Sequence, residues 1–86
     1  MKIHEYDIPL LKGLGFTENN DGKFTEYVKE FDSGYFIGTA HIRNKIYITP
    51  YRNVIVSNAN GDRDTIQEWA WFTLLKMYKM DMFEEE

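Results

Sequence analysis

The sequence predicts an α+β domain: an antiparallel sheet of about four strands, a short N-terminal helix, and one long C-terminal helix packed across one face of the sheet. Three observations carry this. Runs rich in Phe, Tyr, Ile, Val and Thr fill the middle of the chain and are separated by turn clusters. From Thr65 to Phe83 the apolar residues recur at helical spacing. The 86 residues are enough for one domain and too few for two, so 1–86 is read as a single unit. A domain of this size buries only about 60–65% of the surface its unfolded chain exposes, which makes the core thin.

The N-terminal helix is expected to use Asp7 as N-cap, Pro9 in its first turn and Gly13 as its stop, with Leu10, Leu11 and Leu14 tucked against the core. A first strand over Phe16–Glu18 would be closed by the turn residues Asn19-Asn20-Asp21-Gly22. The next stretch is ambiguous. Phe24, Tyr27, Val28 and Phe31 fit helical spacing, yet Phe, Thr, Tyr and Val are strand formers, and 23–31 is read as a strand.

The clearest β signal is the pair Tyr35–Ile42 and Ile46–Tyr51, flanking Arg43-Asn44-Lys45 as a loop. That loop would set Ile42 opposite Ile46 and Ala40 opposite Ile48. One face would then carry Phe36, Gly38, Ala40, Ile42, Ile46 and Ile48, and the other Tyr35, Ile37, Thr39, His41, Tyr47, Thr49 and Tyr51. Pro50 ends the strand or marks an edge. A last strand, Val54-Ile55-Val56, precedes a turn-rich stretch from Asn58 to Asp62.

The C-terminal helix opens with Thr65-Ile66-Gln67-Glu68, a capping box, with Asp62 and Asp64 at the positive end of its dipole. Glu84, Glu85 and Glu86 stand at the wrong end of that dipole, so the tail is expected to fray. Trp69 is the candidate to fill the space left by Gly38 and Ala40, with Trp69→Ala costing roughly 3–5 kcal/mol. At about 100° per residue, Ile66, Trp69, Ala70, Thr73, Met77 and Met80 form one stripe. Trp71, Leu75, Tyr78 and Met82 form a second, almost opposite, with Phe72 and Phe83 on its flank. A helix on the surface of a domain normally has a single apolar stripe. The second stripe is therefore either core, covered by the N-terminal segment, or interface.

Composition narrows the function. With 43% hydrophobic and 28% charged residues the chain reads as folded rather than disordered. Aromatics reach 16%, which suits both a small core and a protein interface. Cysteine is absent, which removes disulfide and thiolate chemistry and fits a reducing cytoplasm. Lys2, His4, Glu5 and Asp7 interrupt any signal-peptide apolar region, and Lys76, Lys79 and Asp81 break the C-terminal stretch as a membrane span. The net charge of -4 argues against generic phosphate-backbone binding.

Catalytic and metal motifs fail one by one. The two histidines, His4 and His41, have no ligand partner at zinc-site spacing. His41 has no neighbouring nucleophile in its strand. Asn58, Asn60, Asp62 and Asp64 alternate like calcium ligands, but the glycine and glutamate positions of such a loop fall on Arg63 and Trp69. The loop around Asn19, Asp21 and Gly22 fails likewise, and turn chemistry accounts for both. Gly13-Leu14-Gly15 opens no phosphate-binding motif. No catalytic residue, metal or cofactor is expected, and the chain is read as a non-enzyme.

Two surfaces remain. Tyr35, His41, Tyr47 and Tyr51, edged by Arg43, Lys45 and Arg52, could stack nucleobases and hold phosphates. Trp71, Leu75, Tyr78 and Met82 could anchor a protein partner, with Arg43 and Arg52 at a charged rim. The opening Leu11-Lys12-Gly13-Leu14-Gly15-Phe16, leading into a polar turn and a meander, resembles the small accessory proteins of bacteriophages and mobile elements. That resemblance implies a cytoplasmic protein that works by binding, for example an inhibitor of a host defence complex of the anti-CRISPR type. Such inhibitors are often strongly acidic, and -4 is weaker than that, which counts against DNA mimicry. The expectation is thus a protein–protein interaction module, by partner occlusion or self-association as a dimer. The alternative is a small RNA- or single-strand-binding domain.

Overall fold

The computed structural model describes residues 1–57 and 68–85, with backbone alone at 32–37, 41–43, 68 and 69. Two 3-10 turns, Glu5–Leu10 and Lys12–Leu14, lead into strands β1 (Thr17–Asn20), β2 (Thr25–Ile37), β3 (Ala40–Ile48) and β4 (Val54–Ser57), followed by helix α1 (Glu68–Lys79). The strands form one antiparallel meander in the order β1-β2-β3-β4. The fold class is α+β, as the hydrophobic pattern predicts.

The N-terminal segment is tighter than the α-helix expected. Asp7 does not cap it: His4 precedes the first turn, and Asp7 lies inside, buried, with its Oδ2 unpaired among the described residues. The stop is Gly15 rather than Gly13. Gly15 takes φ +94°, a left-handed conformation that glycine adopts at no steric cost, and its N–H bonds the Lys12 carbonyl. Leu11 and Leu14 are buried as expected, while Leu10 is exposed.

The β1–β2 turn is built by side chains. Asn20 Oδ1 accepts from Gly22 N at 2.8 Å, and Asp21 Oδ1 accepts from Lys23 N at 3.1 Å and Phe24 N at 2.9 Å. Those backbone donors hold the Asp21 carboxyl below its usual pKa. Asn19 and Asn20 themselves belong to the strand, so the turn starts two residues later than expected.

The central hairpin is the largest correction. Residues 23–31 are strand, but β2 runs on through Asp32-Ser33-Gly34 with only a register irregularity. The chain reverses at Gly38-Thr39 rather than at Arg43-Asn44-Lys45. Gly38, at φ +60°, occupies the first central position of the two-residue loop, where a type II′ turn requires glycine. Ile42 therefore pairs with Tyr35, and Ile46 with Lys29. The polar run 43–45 is cross-strand pairing, not a loop: Arg43 lies opposite Asp32 and Lys45 opposite Glu30, with Lys45 Nζ 3.6 Å from the Glu30 carboxylate.

Between β3 and β4, Thr49 to Asn53 form a tight turn around Pro50, closed by Arg52 N to Thr49 O at 2.8 Å and Thr49 N to Asn53 O at 2.9 Å. Arg52 holds φ +68°, a position usually left to Gly or Asn. The first residues of the chain lie beside this turn. Val54 N bonds Met1 O and Ile3 N bonds Arg52 O on one side, while His4 N bonds Met82 O and Glu84 N bonds Lys2 O on the other. Residues 1–4 are thus stitched between the start of β4 and the C-terminal tail. Arg52 Nη1 reinforces the seam by donating to Ile3 O at 2.9 Å and to the Glu84 carboxylate.

Helix α1 packs one face onto the sheet. Ala70, Leu74 and Met77 join Ile3, Leu11, Leu14, Phe16, Ile46, Ile48 and Met82 in a single buried cluster, with Tyr27, Phe31, Val54, Val56, Ile8 and Phe83 around it. The capping box at Thr65, the acidic residues 62 and 64, Ile66 and the side chain of Trp69 lie outside what is described. The helix ends earlier than its composition predicts. Asp81 at φ +57° reverses the chain, with Met82 N bonded to Met77 O at 3.2 Å and Asp81 N to Tyr78 O at 3.0 Å. These are the bonds of a Schellman ending, whose apolar contact here joins Met82 to the turn of Met77.

Candidate functional site

The outer face of α1 is where the described surface departs most from an ordinary solvated one. Trp71 is 54% exposed, Phe72 63%, Leu75 40% and Tyr78 69%, on a helix whose opposite face is buried. The four residues fall within one side of the rod at 100° per residue. Beside them runs a groove of about 320 Å³ lined by Met1, Trp71, Leu74, Leu75, Tyr78 and Phe83. Every lining side chain is apolar apart from the Tyr78 hydroxyl and the Trp71 indole N–H. Lys76 and Lys79 stand in the last turn of the same helix.

Three of the four residues expected on this stripe are there. The fourth, Met82, is fully buried. Helical extrapolation carried it outward, but the left-handed Asp81 turns the chain back before Met82 is reached, so Met82 belongs to the core. The sequence reading missed Met1 as a wall of the groove and gave Phe83 only a flanking place. Both are positioned by the seam between residues 1–4 and 82–84, for which isolated bridges leave no periodic signal.

The tyrosine face does not assemble. Register sets Tyr35 opposite Ile42 and His41 opposite Phe36, so Tyr35 and His41 fall on different faces of the sheet. Tyr51 sits exposed in the turn after β3 rather than on a strand. Arg52 is not a free rim cation, because its guanidinium is held by Ile3 O and Glu84. The side chain of Arg43 lies outside what is described.

Tyr47 does face a broad concavity of about 670 Å³ on the uncovered side of the sheet, but it shares it with Glu18, Glu26, Glu30 and Lys45. Asn19 there donates to Glu26 at 3.1 Å, and Lys45 is already engaged with Glu30. A surface dominated by carboxylates repels phosphates. Among the described residues no group of three or more His, Cys, Asp or Glu is arranged to hold a metal ion. His4 stacks on Tyr6 with ring centroids 4.8 Å apart, which gives it a packing role.

Lys29 was given no role by the sequence reading. It lies on the core side of β2, donating from Nζ to Thr73 Oγ1 at 3.4 Å and resting 5.1 Å over the Phe31 ring. Burial, with a contribution from Lys76, lowers its pKa. No described helix is long and apolar enough to cross a membrane. Comparison with family models, with curated proteins and with solved structures finds no match to this chain.

Proposed function

We propose that this protein is a non-enzymatic protein–protein interaction module whose contact surface is the outer face of α1. One observation carries the reading: four large apolar side chains stand exposed and contiguous beside an apolar groove. Single exposed apolar residues need no explanation, whereas the largest contiguous apolar patch on a small domain is often functional. Trp and Tyr are the residues interfaces favour as anchors, since each delivers a large contact area with little rotamer entropy to lose. A rigid patch of this kind acts sterically. Covering a site on a larger complex blocks that site, which is how a small accessory inhibitor of phage or mobile-element type would work.

The test compares wild type with Leu75→Glu and Tyr78→Ala, each first shown folded by circular dichroism. Immobilised wild type is expected to retain a protein from host extract that both variants release. A Leu75→Glu variant that unfolds would make the stripe core and remove the reading. So would salt-dependent retention of oligonucleotides by all three proteins with no protein retained.

A further inference from the structure

The groove beside α1 is apolar within and charged along one rim. Trp71, Leu74, Leu75 and Tyr78 form one wall, and Met1 and Phe83 the other. Main-chain hydrogen bonding is largely used up along both. The α1 wall is helix, whose N–H and C=O groups bond one another. The opposite wall spends Met1 O, Lys2 O and Met82 O on the seam. A segment lying here as a strand would leave its own backbone unpaired, whereas a helix arrives with its bonds already made. Trp71 to Tyr78 covers about two turns, roughly 10 Å of axis, the reach of apolar side chains at i, i+3 or i+4, and i+7 on a partner helix.

The rim charge has one sign. Between Ala70 and Lys79 the helix carries Lys76 and Lys79 and no acid. Lys76 stands one turn after Phe72, and Lys79 one turn after Leu75, so both exposed ammonium groups border the apolar ridge. Neither has a carboxylate partner among the described residues. Lys29, bonded to Thr73 on the flank of the same helix, has its pKa lowered by burial and by Lys76, so cation faces cation there. The carboxylates of the chain's end, Asp81, Glu84 and Glu85, follow the helix, and Glu84 is held by Arg52. In a chain of net charge -4, an apolar surface fringed by uncompensated lysines is a local exception.

We infer that the groove and the ridge beside it take an amphipathic helix of another protein, one whose apolar stripe is bordered by carboxylates facing Lys76 and Lys79. This rests on the reading of the outer face of α1 as a contact surface and adds the chemistry of its partner. Apolar burial supplies the affinity, while the lysines orient the incoming helix and select against a basic one. A two-walled groove suits a rod of side chains better than the flat surface of a bilayer, and the net charge of the chain opposes an anionic membrane.

The test uses two labelled, helix-stabilised peptides of about four turns with the same Leu and Phe stripe, one bordered by Glu and the other by Lys. Fluorescence anisotropy follows their binding to wild type, to Leu75→Glu, and to two double variants, Lys76→Gln with Lys79→Gln and Lys76→Glu with Lys79→Glu. Each is first shown folded by circular dichroism. Wild type is expected to prefer the acidic peptide about tenfold at low salt, and the preference to shrink as salt rises. The glutamine variant should bind both peptides equally, the glutamate variant should prefer the basic one, and Leu75→Glu should bind neither. Equal binding of the two peptides by wild type overturns the inference, as does a preference that both lysine variants keep. Binding of neither peptide also overturns it; sedimentation equilibrium and phosphatidylglycerol vesicles then tell whether a second copy or a membrane occupies the face. These failures are separable from failure of the contact surface itself: peptides bound equally by wild type and released by Leu75→Glu keep the surface and lose only the acidic partner.

Discussion

The two sides of α1 are made of similar residues and have opposite fates. Inward lie Ala70, Thr73, Leu74 and Met77, all buried; outward lie Trp71, Phe72, Leu75 and Tyr78, the larger and more apolar set, all exposed. Hydrophobicity alone would have buried the second group first. Which side goes in is decided by shape. The sheet surface under the helix is already occupied by Ile46, Ile48 and Phe31, with Leu11, Leu14 and Phe16 beside them, and small or slender side chains fit against it. The bulky aromatics are left exposed on the outer side. In a chain this short, spare aromatic surface is hard to fold away, and it is on this exposed face that the proposed interaction rests.

The contrast can be broken from the inside. Met77→Ala removes a fully buried side chain and should destabilise the protein by about 2–4 kcal/mol in urea unfolding, whereas Tyr78→Ala, one residue on, should change stability by less than about 0.5 kcal/mol. Equal losses at the two positions would mean the outer face is core. Arg52→Ala comes next, at about 1–2 kcal/mol, since it releases Ile3 O and Glu84 together and loosens the segment that places Met1 and Phe83 along the groove. Asp81→Gly should run the other way and stabilise by about 1 kcal/mol, because glycine adopts the left-handed ending without strain. That variant sharpens the comparison by fixing Met82 on the inner side.

The smallest effect is in pH. The hydrogen bond from Arg52 holds the Glu84 carboxyl below its usual pKa. A carboxyl depressed in the folded state contributes stability above its unfolded pKa and loses it as pH falls through the folded value. Melting temperature followed from about pH 6 to about pH 3 should therefore fall less in Arg52→Ala than in wild type. Parallel curves would show that the seam does not depend on this charge.

Much of this was legible in the chain. The period of α1 marks Ala70, Thr73 and Met77 as inward and Trp71, Leu75 and Tyr78 as outward. It leaves out the buried Leu74 and misplaces Met80, which is exposed, and Met82, which is buried. Alternation marks Ile46 and Ile48 as inward residues, because burial imposes that period directly. The hairpin loop is misread for a physical reason: 43–45 lies within β3, with Lys45 matched to Glu30 across the sheet, and a sequence scan sees only the polarity of the run. Gly38 carried the right turn signal but looked like strand interior between Ile37 and Thr39. The tyrosine surface failed with the register, since a hairpin tip moved from 43–45 to 38–39 redistributes Tyr35 and His41 between faces. The end of α1 was hidden because aspartate is a less common left-handed terminator than glycine. The groove walls at Met1 and Phe83 were illegible because residues some eighty positions apart meet there through single bridges.

That last meeting has a kinetic consequence. Residues 1–4 hydrogen-bond to 52–54 and to 82–84, so the seam is complete only when segments about fifty and about eighty positions apart have both met. The hairpins of the sheet can form early from nearby residues, but closing this seam requires an ordering event across nearly the whole chain, and contacts of such long sequence separation form slowly. Ile3, buried in the finished protein, stays solvated until then. The groove beside α1 is walled by Met1 and Phe83, so it is complete only once this long-range seam has closed, and a chain in which the seam is open carries the helix without those two walls.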